Sequence, residues 1–543
     1  MISGSWSKTW TVYLRVGNKN ALGFVFFHGS SKGANQLRAN YRMDGAGVDD
    51  KTSLFQSVTF SDGVQEPCIW SSPGGIHKIN IGKRIFCNRS LNMKSIVAVG
   101  FDMDYTLAQY KPETFESLAY EGTIRKLVYD LGYPPKLLEW TFDWKYMVRG
   151  LVLDKKRGNI LKMDRHKYVK VAYHGFRELS KEDKVATYGS TLIRDAFDEP
   201  DYALIDTLFS LAEAYLFAQL VDFKDNNPGK IPGDAGVPSQ SQILSDLLKC
   251  YSRMYKDVRA AVDLCHRDGT LKQMVAKDPK RYINEDTSIV PMLKMLRDSG
   301  RSTFLVTNSA KPSFFHDENR AHLFEVEPES GMLLNTDNGT PMPQVGGALR
   351  LPLKSLNKSC KVFQGGNVGH LHKLLGIESS SQVLGWRTML VVPELEKEVE
   401  FLWECRGTRK QLRLLRNERD LIEDKIHHLK WSLKYVVFLY AGFEGLNGDE
   451  KEKLSSELEK LEGLKERKFV SVINSLSENV TKRFHKVWGQ LMKTGYQNSR
   501  FAHQVERFAC LYTSQVTNLS LYSPDKYYRP SEDFMPHEFD ILA

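Results

Sequence analysis

The stretch Val97-Ala98-Val99-Gly100-Phe101-Asp102-Met103-Asp104-Tyr105-Thr106-Leu107 decides the fold. An uninterrupted apolar run predicts a buried strand, Ser95–Phe101. It delivers two aspartates, one residue apart, to the strand's carboxyl end, where open α/β sheets bind their ligands. Alternate residues of an extended segment point the same way, so Asp102 and Asp104 can face one pocket. There one carboxylate can attack an electrophile such as phosphorus while the other handles a proton. A polar turn that merely holds two acids needs no such apolar strand before it.

Working outward, 543 residues make room for several domains, and 41% hydrophobic with 26% charged residues is the composition of a globular chain. No apolar run reaches the roughly 18 residues of a membrane span; the longest, near Ala21–Phe27 and Tyr435–Phe443, are too short. No membrane is therefore expected as a partner. Seven cysteines without a Cys-x-x-Cys pair argue against a zinc site or a disulfide framework and suit a reducing compartment.

The net charge of +9 is unevenly placed. Residues 1–94 hold 12 Lys/Arg and 5 Asp/Glu and so supply +7, leaving +2 for the other 449. The body offers no basic excess, and nucleic acid is not indicated as a partner. Before the first acid, Asp44, come Lys8, Arg15, Lys19, Lys32, Arg38 and Arg42 with several serines. That composition suits a transit segment to mitochondrion or plastid; a non-targeting extension of a cytoplasmic protein is the alternative. Residues 1–90 show weak periodicity and many Gly, Ser and Asn, and are expected to be mostly disordered.

Further along, helices are expected at Glu113–Leu131, Leu204–Phe223, Ser241–Leu264 and Ile289–Ser299, and strands at Ser302–Thr307 and Trp386–Val392. Gly365-Gly366-Asn367 opens a short helix to Leu375. From Glu394 long charged helices take over. Leu415, Ile422 and Leu429 are seven apart, as are Ile426 and Leu433. Leu454, Leu458, Leu461 and Leu464 continue the pattern after a turn at Gly445–Gly448. This predicts an antiparallel coiled-coil hairpin suited to packing or to a homo-oligomer. The aromatic tail Tyr522–Phe539 is expected to dock irregularly or to be loose.

Asp102-x-Asp104-x-Thr106 resembles the first motif of haloacid-dehalogenase-type phosphatases. Phe304-Leu305-Val306-Thr307-Asn308-Ser309 is similar to their second motif, and Ala310-Lys311-Pro312-Ser313-Phe314-Phe315 to their third. Gly385-Trp386-Arg387-Thr388-Met389-Leu390-Val391-Val392-Pro393-Glu394-Leu395 resembles the strand after the fourth. Together, over residues 85–543, they resemble the purine (IMP/GMP-preferring) 5′-nucleotidases and their plant-type and animal "5′-nucleotidase domain-containing" relatives.

The resemblance implies an α/β fold with a Rossmann-like, mostly parallel sheet. The core would be residues 91–111 and 286–395, with a helical cap at 112–285 and the hairpin and tail at 396–543. It implies magnesium-dependent hydrolysis of a nucleoside monophosphate through an aspartyl-phosphate. Asp102 would be the nucleophile and Asp104 the acid/base, and both would hold Mg2+, Asp104 through its carbonyl. Thr307 and Asn308 would orient the phosphate and Lys311 would offset its charge. Phe209, Glu213, Arg259, Asp263, His266 and Lys272 would contact the nucleotide. Ser210 and Arg267 depart from the purine enzymes, which leaves base preference open. Ordinary readings stand beside these: a surface ion pair for Arg259 and Asp263, core for Phe209, an ordinary loop position for His266.

Two segments are expected to be missing. Thr307 and Lys311 are four residues apart, whereas the motifs they resemble sit on different strands joined by a crossover of at least ~10–12 residues. The fourth motif, a strand ending in Gly-Asp, is absent: Ser379-Ser380-Ser381-Gln382-Val383 runs directly into Leu384-Gly385-Trp386. The Ile231–Tyr251 loop, by contrast, is longer than the family's. On this reading the chain is a weak enzyme; the alternative is an inactive relative that binds nucleotide or acts as a scaffold.

Overall fold

The computed structural model describes residues 9–13, 24–29, 68–70, 78–189, 197, 200–232, 243–306, 323–326, 333–336, 360–365, 386–439 and 448–530. They form two compact units, 1–396 with 494–543, and 397–493. The chain is mixed α/β.

The strands of the main sheet, in chain order, are β1 (Thr9–Tyr13), β2 (Phe24–Gly29), β3 (Phe86–Cys87), β4 (Ile96–Asp102), β5 (Ser302–Val306), β6 (Leu323–Val326), β7 (Leu333–Asn335), β8 (Cys360–Gly365), β9 (Arg387–Val391) and β10 (Leu511–Thr513). Their spatial order is β7-β6-β8-β1-β5-β4-β2-β9-β10-β3. Four contacts are parallel: β8 with β1, β1 with β5, β5 with β4, and β9 with β10. The other five are antiparallel. The expected mostly parallel sheet is thus corrected to a mixed one. The parallel run stops at β4 because β2 pairs antiparallel with it on one side and with β9 on the other.

β4 forms as expected because its apolar residues, Val97 apart, are buried; Ala98, Val99 and Phe101 are almost fully enclosed. Gly100 stands opposite Phe304 of β5. A Cβ at position 100 would fall 2.3 Å from that phenyl ring, so only glycine lets the two strands close. One face of the sheet carries a core built from Val99, Phe101, Met389, Val391 and Leu511, with Met292 and Leu296 of an adjacent helix and Leu519, Tyr522 and Tyr528 of the C-terminal segment.

That core also contains Ile79, Ile85, Leu91 and Met93. The expectation of disorder through residue 90 is therefore corrected where strands and buried side chains occur: β1, β2, β3 and the segment from Lys78. The Ile85 amide donates to the Tyr522 hydroxyl at 3.2 Å, and Leu91 pairs with Tyr528, so the first part of the tail docks as a strand partner. A chain beginning at Asn88 is expected to lose several degrees of thermal midpoint, read by circular dichroism, because it strips β4 of an antiparallel neighbour and Ile79 and Ile85 from the core. An unchanged midpoint would mean that these contacts contribute nothing.

Residues 112–285 were expected to form a helical cap. They do contain α1 (Ser117–Tyr129), α2 (Ser210–Asn226) and α3 (Ile243–Arg267), but also an antiparallel sheet. Its strands include Leu151–Asp154, Asn159–Met163, Val169–His174 and Tyr202–Ile205. The expected helix over Leu204–Phe223 accordingly starts as the last of those strands, and its helical part begins at Ser210. Past 396, the hairpin comprises α4 (Arg406–Leu439), α5 (Gly448–Leu464) and α6 (Ser471–Phe484). Residues from Thr494 return to the first unit, with α7 (Arg500–Phe508) and β10. The helix expected after Gly365 lies outside the described residues.

Candidate active site

Asp102 ends β4 and Asp104 sits in the turn that follows. The Met103 carbonyl closes that turn, accepting from the amides of Leu107 at 3.0 Å and Ala108 at 2.9 Å. The Tyr105 amide donates to the Ala108 carbonyl at 2.9 Å. Tyr105 itself has φ +54°, a conformation costing a non-glycine residue on the order of 1–3 kcal/mol. Its side chain holds the strain: the hydroxyl donates to buried Glu116, and the ring lies edge-on to Tyr110 at 5.2 Å and Phe209 at 4.9 Å. Glu116 ends a single π-helical turn, Pro112–Glu116, and burial pushes its carboxyl up to about 8.

The two carboxylates are held differently. Asp102 accepts from the Met103 amide at 2.8 Å. Burial, with the charge of Asp104 adding to it, lifts the Asp102 carboxyl to about 7 against the pull of that hydrogen bond. Asp104 accepts from the Tyr110 hydroxyl at 2.8 Å.

Across from the aspartates lies the cap. Phe209, just before α2, meets Tyr105, Tyr110 and Phe115, and His266 at the end of α3 stands edge-on to it at 6.3 Å. Burial first, and then the charges of Arg259 and Lys272, push the His266 imidazole below its ordinary range, while Asp263 and Asp104 pull the other way. Arg259 donates to Glu213 at 2.8 Å and pairs with Asp263 at 3.3 Å. Glu213 is buried and uses its other oxygen for the Tyr255 hydroxyl at 2.5 Å. Both its oxygens are occupied, so Glu213 acts by aiming Arg259.

The segment carrying Phe209 is pinned from behind. Buried Asp206 accepts from Arg500, and from Gln504 at 3.0 Å, both on α7. Buried Arg149 grips Glu394, just past β9, with two donors at 2.8 and 2.5 Å.

Of the residues expected at the site, the structure gathers Asp102, Asp104, Phe209, Glu213, Arg259, Asp263, His266 and Lys272. Thr307, Asn308 and Lys311 lie outside the described residues. The strand leading to them is in place, since Val306 is the parallel register partner of Asp102. Sequence reasoning missed Tyr110, Glu116 and Tyr255. Nothing in their spacing marks them; each is revealed by the carboxylate or hydroxyl it meets.

Compared with known families, residues 85–310 and 309–540 match the 5′ nucleotidase family. The chain belongs to the 5′-nucleotidase family. Over 497 residues it is 25% identical to a 5′-nucleotidase domain-containing protein of Dictyostelium discoideum, covering 84% of this chain and 75% of that one. It is 23% identical over 499 residues to human 5′-nucleotidase domain-containing protein 2, covering 84% and 85%. The rat protein of that name matches at 23% over 493 residues, covering 84% and 80%. Membership makes this chain by family a nucleotidase-type phosphohydrolase, and the paired aspartates lie within the first matched segment. No helix among the described residues of this nucleotidase relative is long and apolar enough to cross a membrane.

Proposed function

We propose that the chain hydrolyses nucleoside 5′-monophosphates through an aspartyl-phosphate formed on Asp102, in a haloacid-dehalogenase-like core. The observation that carries this is the pair Asp102 and Asp104 at a strand end, facing an aromatic and basic cap. Asp102 attacks phosphorus, and the bond to the 5′ oxygen breaks as the Asp102 ester forms. Asp104 gives its proton to the leaving oxygen. It then takes one from water, which attacks the same phosphorus and frees Asp102. The Tyr110 hydroxyl orients Asp104, and Glu213 aims Arg259 toward the nucleotide. Phe209 and His266 offer flat surfaces to the base, and Asp263 and Lys272 complete the cap's side. Thr307, Asn308 and Lys311 are assigned to the phosphoryl oxygens on sequence alone.

The donors present suit magnesium in kind, since Asp102 and the Asp104 carbonyl are hard oxygens. In number they are few: among the described residues no three His, Cys, Asp or Glu side chains gather as a metal group. Those two residues would hold the ion, with water and substrate phosphate filling its shell. When bound it supplies positive charge to offset two carboxylates and a phosphate. The two family matches meet at 309–310, between Thr307 and Lys311, which supports the reading that a segment is missing there. The shortage of donors favours a second reading, an inactive relative that binds nucleotide or acts as a scaffold.

Purified protein given purine nucleoside monophosphates and millimolar magnesium is expected to release phosphate slowly, with an acid-stable, base-labile phosphoryl label on the protein. Nucleotide binding without phosphate release or label would favour the second reading. The basic, acid-poor start of the chain supports delivery to a mitochondrion or plastid.

A further inference from the structure

Glu116 is 2% exposed, a carboxyl set where an apolar side chain would pack. Its Oε1 accepts from the Tyr105 hydroxyl, and its Oε2 meets no hydrogen-bond donor among the described residues. Burial, against the pull of that hydroxyl, lifts the carboxyl to about 8, so near neutral pH it is uncharged. A buried oxygen left unmet destabilises a fold. What Glu116 does for the protein therefore lies in its contact with Tyr105.

Tyr105 directly follows Asp104. Its backbone has fastenings of its own: the amide donates to the Ala108 carbonyl, and the carbonyl accepts from the Gln109 side chain at 2.7 Å. What Glu116 adds is a fixed ring. That ring stands edge-on to Tyr110 at 5.2 Å. Phe115, next to Glu116 in the same π-helical turn, stacks on Tyr110 at 4.3 Å. Tyr110, braced by both rings, donates its hydroxyl to Asp104 at 2.8 Å. One short turn thus bears on Asp104 by two routes, through Tyr105 and through Phe115. Isolated π turns recur at functional sites.

We propose that Glu116 is a positioning residue for the acid/base Asp104, acting through the rings of Tyr105 and Tyr110. This role rests on the hydrolysis reading, in which Asp104 gives its proton to the 5′ oxygen as the bond from that oxygen to phosphorus breaks and the bond from Asp102 to phosphorus forms.

Two substrates separate positioning from general damage. The 5′ oxygen of a nucleoside 5′-monophosphate needs the Asp104 proton in order to leave. The matching 5′-phosphorothiolate, with sulfur as the bridging atom, departs as a thiolate and does not. Release of the nucleoside is followed in a single turnover, with the full chain in excess over substrate at saturating magnesium. Glu116→Leu and Tyr105→Phe are expected to slow release from the monophosphate roughly 10- to 100-fold, the effect of a displacement of about 1 Å or less, and to cleave the phosphorothiolate near the wild-type rate. Glu116→Gln keeps an acceptor for the Tyr105 hydroxyl and should match wild type on both. Glu116→Leu combined with Tyr110→Phe should lose no more than Tyr110→Phe alone, because both act on one hydroxyl. Equal slowing on both substrates overturns the proposal. So does an unslowed Glu116→Leu, a Glu116→Gln as slow as Glu116→Leu, or losses that multiply in the double variant. A wild-type chain that cleaves neither substrate overturns the hydrolysis reading, and this role with it.

Discussion

Asp102→Asn is expected to abolish turnover while making the metal-free protein more stable above neutral pH. Both effects come from the same carboxylate. In the proposed role of nucleophile it has no substitute, since an amide cannot form and release the acyl phosphate. As a buried charge beside Asp104 it is a burden on the fold. Its folded-state pKa of about 7 stands above the ordinary 3.8. Below pH 4 it is protonated in folded and unfolded chains alike and costs nothing. Between pH 4 and 7 the unfolded chain releases a proton that the folded protein keeps, so stability falls as pH rises through that window. Above pH 7 the full penalty applies, on the order of 4 kcal/mol at about 1.4 kcal/mol per pH unit. Thermal midpoints in chelator should therefore favour the variant at pH 8 and converge with wild type near pH 4. A stability difference that ignores pH would contradict the burial argument. Wild-type turnover in the variant would remove Asp102 from the mechanism.

If two segments are missing as proposed, a chain carrying them should raise turnover by at least about 10²–10³-fold, the effect of one well-placed group that stabilises transition-state charge. The strand end offers one carboxylate and one carbonyl, and burial lifts Asp102 to about 7 against the pull of the Met103 amide. A magnesium ion so held would keep most of its water, and the incoming phosphate would meet poorly offset negative charge. Steady-state phosphate release by the 543-residue protein and the restored one, at equal concentration and saturating magnesium, compares them directly. Equal rates would show that a carboxylate elsewhere already completes the site.

The parts of this molecule that could be read from the sequence share a physical property. β4 and β5 are short apolar runs ended by polar residues, β9 is one ended at Val392-Pro393, and each lies within a residue or two of its expected bounds. The cap strands defied that logic. Every residue of Leu151–Asp154 and Asn159–Met163 is buried, including Asp154, Asn159 and Lys162, so neither an apolar run nor an alternation survives. What permits polar residues there is hydrogen bonding. Asp154 accepts from the amides of Lys156 and Arg157 and from the Tyr188 hydroxyl, and Asn159 bonds His174 at 2.8 Å. Those partners are fixed by tertiary structure, and no local pattern announces them. The candidate site divides the same way. Asp102 and Asp104 were legible because a strand end positions them, whereas Tyr110 and Glu116 matter only through the side chains they touch.

The N-terminal strands bear on maturation. An import leader is discarded after delivery, and its residues then have no part in the working protein. Here Thr9–Tyr13 lies between two strands of the main sheet, and Phe24–Gly29 joins the strand of the paired aspartates to β9. Cutting behind them would leave β4 and β9 each with an open edge, the kind of unpaired backbone that seeks other chains. Delivery followed by cleavage beyond Gly29 and membership of this sheet are mutually exclusive uses of Thr9–Tyr13 and Phe24–Gly29: a processed chain would have to fold around a different neighbour for the strand of the paired aspartates.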